Sequence, residues 1–287
     1  MKITDILGNG RVSVSVEVFP PKKETDLLDY HNVVRDVAKF GPAFMSVTYG
    51  ASGGTSDYTV DIADQIQNVN GITALAHLTC ASSDREKVRS VLAQLKEKGI
   101  ENILALRGDI PEGTVVSEKN YKHASELVRE IKSFGDFCIG GACYPDGHPE
   151  SETLTAEIES LKYKIDAGCE FLTSQMFFDN QVFYSYLMKL NRAGVNVPII
   201  AGIMPVTNAK QIKRICSLSG TALPQRFRVL VDRFGDKPEA MKQAGIAYAT
   251  DQIIDLIANG VDHIHVYSMN KPDIAGSIIK NLSEIIG

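Results

Sequence analysis

The chain has 287 residues, 44% of them hydrophobic and 23% charged, with a formal net charge of −5. These values describe an ordinary folded protein, and the lack of a net basic field argues against a nucleic-acid or membrane-surface partner. No stretch approaches the roughly 20 apolar residues of a membrane span, and Met1-Lys2-Ile3-Thr4-Asp5 has no apolar signal core, so a cytoplasmic protein is expected.

Strand-like and helix-like segments alternate along the chain. Residues 12–19 alternate valine with Ser13, Ser15 and Glu17, the period-two pattern of a strand, and 26–40 reads as a helix. Strand 44–49 precedes helix 58–68, and strand 72–79 precedes helix 84–98, which Gly99 closes. The next pairs are 102–108 with 121–133, 138–144 with 155–167, 171–177 with 181–192, and 198–203 with 209–217. An extra helical stretch, 238–259, precedes a last strand, 263–267, and a last helix, 274–286. Eight strands each followed by a helix imply parallel pairing through right-handed crossovers. The expected fold is α/β: one (β/α)8 TIM barrel over residues 1–287, with an extra helical segment before the last strand. A doubly wound sheet is the rival, but no strand-to-helix turn carries GxGxxG or GxxxxGK[ST]. The five cysteines (Cys80, Cys138, Cys143, Cys169 and Cys216) form no CxxC pair and read as reduced thiols.

In such a barrel the chemistry lies at the C-terminal ends of the strands. The first strand ends with Glu17 as its last inward residue before Pro20-Pro21. A lone carboxyl beside an apolar wall has a raised pKa, which suits a general acid; the plainer reading is a structural ion pair. Thr48 faces inward on the second strand, followed by the glycine-rich loop 50–55. The third strand presents His77 and Thr79, and a lone histidine in a strand is more often a core residue than a catalyst. The fourth ends in Arg107-Gly108-Asp109, where strand alternation puts Arg107 and Asp109 on one side as an opposite-charge pair. After the fifth come Tyr144 and His148, and then a helix with Glu157, Ser160, Leu161 and Lys164 along one face, by spacing alone a solvated Glu–Lys face. The sixth presents Thr173 and Gln175, and the eighth His263, His265 and Tyr267. One acid, an Arg–Asp pair, an amide and several aromatics suit a planar organic cofactor. The His-x-His pair of the last strand also raises a metal site, but metal-dependent barrel hydrolases carry such a pair on their first strand, and no metal is expected.

These residues resemble the methylenetetrahydrofolate reductase family. The matching stretches run in family order from residue 16 to residue 270: Val16-Glu17-Val18-Phe19-Pro20-Pro21, Ser46-Val47-Thr48-Tyr49-Gly50, His77-Leu78-Thr79-Cys80, Leu106-Arg107-Gly108-Asp109, Tyr144-Pro145 with His148-Pro149-Glu150, 164–168, Gln175 with Phe177-Phe178-Asp179, Gly202-Ile203-Met204-Pro205-Val206, and Tyr267-Ser268-Met269-Asn270. The resemblance implies a flavin-binding barrel in which hydride passes from NADH or NADPH to flavin N5. From there it passes to 5,10-methylenetetrahydrofolate, giving 5-methyltetrahydrofolate. FAD is the cofactor expected, with FMN the alternative. Glu17 then matches the general acid at folate N10, and Asp109 the carboxylate near both flavin and pterin. Thr48, Tyr49, Ala51, His77, Arg107, Gly108, Asp109, Tyr121, Tyr144, His148, Glu157, Ser160 and Lys164 match flavin contacts. Gln175, Gln211, Tyr267 and Lys271 fall on the folate side. A homo-oligomer without nucleic-acid or membrane partners is implied, with room for a partner subunit that delivers electrons from donors such as ferredoxin. The regulatory domain of the eukaryotic enzymes is expected to be absent.

The chain departs from the family at Glu157, Ser160 and Tyr163, where Asp, Asn and a basic residue are common, and at Ile215 and Lys271. The segment between Asp109 and Tyr121 also differs in length. Two other readings stand beside this one. One is a metal-dependent barrel hydrolase or aldolase using His77, His148, His263 and His265. The other is a non-catalytic flavin- or folate-binding subunit of a larger complex.

Overall fold

Eight parallel strands pair in chain order, and the last returns to the first to close a barrel. They are β1 (Ser13–Val18), β2 (Met45–Val47), β3 (Ala74–Thr79), β4 (Asn102–Leu106), β5 (Cys138–Cys143), β6 (Phe171–Ser174), β7 (Ile199–Ile203) and β8 (His263–Tyr267). This computed structural model describes residues 1–21, 27–49, 56–81, 83–108 and 121–286.

The helices are α1 (Ile3–Leu7), α2 (Leu27–Ala38), α3 (Ser56–Asp64), α4 (Arg85–Glu97), α5 (Ala124–Phe134), α6 (Leu154–Asp166), α7 (Asn180–Arg192), α8 (Ala209–Ser219), α9 (Gln225–Phe234), α10 (Pro238–Ala258), α11 (Pro272–Asn281) and α12 (Ser283–Ile286). A π-helical turn, Gln65–Val69, extends α3. Side-chain caps start several of them. Asp84 accepts from Lys87 N, Thr153 from Ala156 N, and Asn208 from Lys210 N and Gln211 N. All eight expected strands are present in the expected order. Two helices go beyond those expected from the residue pattern. α1 precedes the barrel, and α9 joins α10 in the segment before β8.

Strand alternation sorts the barrel's two faces. Val16 and Val18 join the main cluster beneath the helices, and Val14 a second one with α10 and α11. Ser13, Ser15 and Glu17 take the other face. At the N-terminal end the lumen is filled by Phe44, Leu75, Leu104, Phe171 and Ile200, and α1 closes it with Ile3, Ile6 and Leu7. Phe171 lies over Gly140, where a Cβ would sit 2.4 Å from its ring. Asn102 ties the plug in place. Its Oδ1 accepts from Ile3 N at 2.8 Å, and its Nδ2 donates to Met1 O at 3.1 Å and Ala74 O at 3.2 Å. A separate cluster of Met176, Phe178, Val206, Ile212, Phe227, Val231 and Met241 binds α8, α9 and α10 to the chain after β6 and β7.

The Phe171 ring is fully buried in this floor. Phe171→Ala is expected to lower unfolding free energy by about 3–5 kcal/mol, read as a shift in the denaturant midpoint. A loss below about 1 kcal/mol would show that the floor is not close-packed.

Candidate active site

The lumen opens at the C-terminal ends of the strands into a cavity of about 1010 Å³. Its walls include Glu17, Thr48, Tyr49, His77, Arg107, Gly108, Tyr144, His148, Glu157, Ser160, Lys164, Gln175 and Tyr267. The parallel ladders bring these residues together from seven of the eight strands and the loops and helix that follow them.

At the base of the cavity, which His265 helps to line, the β1–β8 ladder sets Ser15 opposite His265. The Ser15 hydroxyl donates to Ile264 O at 2.9 Å and lies 2.7 Å from His265 Nδ1, and Ser46 Oγ lies 3.0 Å from His265 Nε2. Both ring nitrogens are engaged, and burial pushes the imidazole down to about 3, so it is neutral at physiological pH. His263 Nδ1 lies 3.0 Å from Ser13 Oγ. The His-x-His pair of β8 is therefore bonded to the serines of β1. Among the described residues no group of three or more His, Cys, Asp or Glu side chains is placed to hold a metal ion.

Glu17 stands one pleat above Ser15. Only 18% of its side chain is exposed, and His77 Nε2 lies 3.7 Å from Glu17 Oε2. Among the described residues no cation offsets the loss of water, and the carboxyl is raised to about 8. Burial lowers His77 to about 3. Near neutral pH both groups are uncharged, so their approach is not an ion pair. Tyr267 forms the adjoining wall, its hydroxyl donating to Ser174 O at 2.6 Å. The ring can lie there because β7 carries Gly202, where a Cβ would come 2.7 Å from the tyrosine ring and 2.2 Å from Ser174 O.

The opposite rim is charged. Arg107 Nη1 and Nη2 donate to the two carboxylate oxygens of Glu150 at 2.5 and 2.8 Å, a bidentate pair that holds Glu150 below the usual carboxylate range. β4 ends at Leu106, and Gly108 has a φ of +82° with the side chain of Thr79 2.9 Å from where a Cβ would stand. Strand alternation thus stops before Arg107, which pairs with Glu150; Asp109, its expected partner, lies outside the described residues, as does Ala51. Gly108 answers to Thr79 and to its own left-handed backbone. Tyr144 and His148 pack edge to face at 4.6 Å, and Glu150 N donates to His148 Nδ1 at 3.1 Å.

On α6, Glu157 is only 5% exposed and accepts from Ser151 Oγ at 3.0 Å. Lys164 donates to Ala142 O at 2.7 Å, and burial lowers its pKa. The solvated Glu–Lys face expected from spacing is instead turned into the cavity wall. Gln175 Oε1 accepts from Met176 N at 3.0 Å.

Three expected residues do not line the cavity. Tyr121 is buried, with the Arg85 guanidinium 4.6 Å over its ring. Gln211 is exposed in the first turn of α8, and Lys271 donates to Thr207 Oγ1 at 3.1 Å. Conversely, His123, Arg129, Glu150 and Thr173 line it and are not among the expected site residues. For Thr173 a signal existed, since it shares the inward face with Gln175.

The cavity suits a planar heterocycle with an anionic arm. His77 Nε2 and Thr173 Oγ1 are buried in its lining with no hydrogen-bond partner among the described residues, so each can meet a polar ring edge. Arg107, Arg129 and Lys164 supply positive charge on the β4 to α6 side.

Comparison with known proteins agrees with this geometry. A 5,10-methylenetetrahydrofolate reductase of Escherichia coli is 34% identical over 273 residues, covering 95% of this chain and 91% of the relative. An Arabidopsis thaliana protein named methylenetetrahydrofolate reductase (NADH) 1 is 34% identical over 298 residues, covering 99% of this chain and 50% of the relative. The chain thus spans about half the length of the plant relative. Among solved structures, an uncharacterized Clostridium thermocellum protein that binds two copies of 5-methyl-5,6,7,8-tetrahydrofolic acid superposes with a TM-score of 0.68 at 13% identity. That likeness covers 99% of this chain and all of the other, and bears on the fold. The profile described as methylenetetrahydrofolate reductase matches residues 2–283, and the chain belongs to that family.

Proposed function

We propose that the chain reduces 5,10-methylenetetrahydrofolate to 5-methyltetrahydrofolate, using a bound flavin and a reduced nicotinamide. The observation that carries this reading is Glu17: a carboxyl raised to about 8, inside a cavity of about 1010 Å³, with no cation among the described residues to ionise it. Family membership supports the substrate, and the name of the plant relative supports NADH as donor. The Clostridium thermocellum protein supports a barrel of this shape as a folate site.

FAD is the proposed flavin; when bound, it supplies a two-electron carrier between nicotinamide and folate. Thr48, His77, Tyr144 and His148 would hold its ring system, and Arg107 and Lys164 its anionic arm. Glu17 donates its proton to folate N10. The N10–methylene bond breaks, the electron pair stays on N10, and an iminium forms at N5 ready to accept hydride. A carboxylic acid that keeps its proton to about pH 8 is in the right form at neutrality. Its own charge after donation is destabilised by the same apolar enclosure, which favours prompt reprotonation through the open mouth.

Glu17→Gln should leave flavin binding and anaerobic bleaching by NADH near wild type, while recolouring by methylenetetrahydrofolate slows about 10²–10⁴-fold. Stopped-flow absorbance reads both halves, and an unchanged folate half would remove Glu17 as the acid. Protein that binds no added flavin and bleaches with no donor would overturn the flavin-dependent reading.

The raised carboxyl also sets a pH dependence. Its folded value lies above the ordinary 4.5, so its stabilisation is fully present below that value and is lost as pH climbs through about 8. Denaturant midpoints of the wild type should therefore decline between pH 5 and 9 more steeply than those of Glu17→Gln. Parallel curves would mean that Glu17 titrates normally.

A further inference from the structure

We propose that Thr173 is a specificity-determining binding residue, its hydroxyl bonding the polar edge of a fused pyrimidine ring seated in the barrel. The inference rests on the flavin- and folate-binding reading above and adds a residue to it. Thr173 lies on β6, paired in register with Ala142 of β5 and Ile200 of β7. Its side chain is 5% exposed and lines the cavity, and Oγ1 has no partner among the described residues.

The neighbourhood explains why. The next residue, Ser174, accepts from Gly202 N at 2.9 Å, so the adjacent hydroxyl on the other face is satisfied. Tyr267 OH is committed to Ser174 O, and both nitrogens of His265 to serines. Leu104 and Ala142, on the same wall, offer nothing polar. A buried hydroxyl without a partner destabilises a fold relative to the isosteric valine, and strands accept valine readily. Among the described residues that line this cavity, the other buried atoms without a hydrogen-bond partner are His77 Nε2 and Tyr49 OH. A threonine hydroxyl both donates and accepts, so it can read a ring carbonyl or a ring N–H. Flavin and pterin share that chemistry in their pyrimidine rings.

Thr173→Val tests the assignment. Ligand-free protein is titrated with FAD and with FMN by flavin fluorescence, KM for methylenetetrahydrofolate is measured on the flavin-loaded enzyme, and the ligand-free melting temperature is recorded. The expected result is about a tenfold weakening of either flavin binding or the folate KM, the worth of one buried hydrogen bond, in protein that melts no lower than wild type. Which constant moves identifies the ring that Thr173 reads. Thr173→Ser should keep wild-type affinity. Both constants within about twofold of wild type, or a lower melting temperature with affinity retained, overturns the proposal, since the hydroxyl would then be idle or structural. If the valine variant does not fold, Thr173→Ala carries the same comparison. Wild-type protein that binds neither flavin nor folate would instead defeat the functional reading itself.

Discussion

Closure of the barrel rests on the ladder between β1 and β8, which aligns Ser13 with His263, Ser15 with His265 and Glu17 with Tyr267. The partners are 250 residues apart in the chain, so no local preference arranges them. A slip of one residue would turn the serines and Glu17 outward and the valines inward. Burial of Val14, Val16 and Val18 against the helices therefore also places the acid. Tertiary packing on one face of β1 and chemistry on the other are the same constraint.

That constraint divides the cavity electrostatically. Among the described residues the β8, β1, β2 and β3 side is polar but uncharged, with two imidazoles held near a pKa of 3 and a carboxyl near 8. The β4, β5 and α6 side carries Arg107, Glu150, Glu157 and Lys164. An acid needs distance from guanidinium and ammonium groups to hold its proton, whereas an anionic ligand needs those groups within reach. Putting them on opposite walls meets both needs in one lumen. The serines matter here, because a His265 with a free nitrogen would have more freedom to take up a proton beneath Glu17.

Much of this was legible in the residue pattern. Valine alternating with Ser13, Ser15 and Glu17 marks both the strand and its faces, and each lumen position follows from the same parity. The eight-fold rhythm indicates the barrel. What the pattern could not supply were contacts between distant segments. Arg107 and Glu150 are 43 residues apart, and nothing local to β4 names that partner. Glu157 and Lys164 have the spacing of a surface face, and only the packing of α6 against β5 makes them a wall. α1 and α9 do carry the helical spacing, as Ile3, Ile6 and Leu7 and as Phe227 and Val231. Such short amphipathic turns are stable only against a partner, and the partner becomes visible only in the folded chain.

The Asn102 amide beneath the lumen has a further consequence. Its oxygen takes one N–H from α1, and its nitrogen gives to two carbonyls, one before α1 and one on β3. An apolar plug alone could settle into a greasy opening at several depths and rotations. A planar amide whose three bonds point to three different places admits one. The floor of the barrel is thus indexed, much as a single buried polar residue fixes the register of a coiled coil. The height of every side chain above that floor is measured from a fixed base.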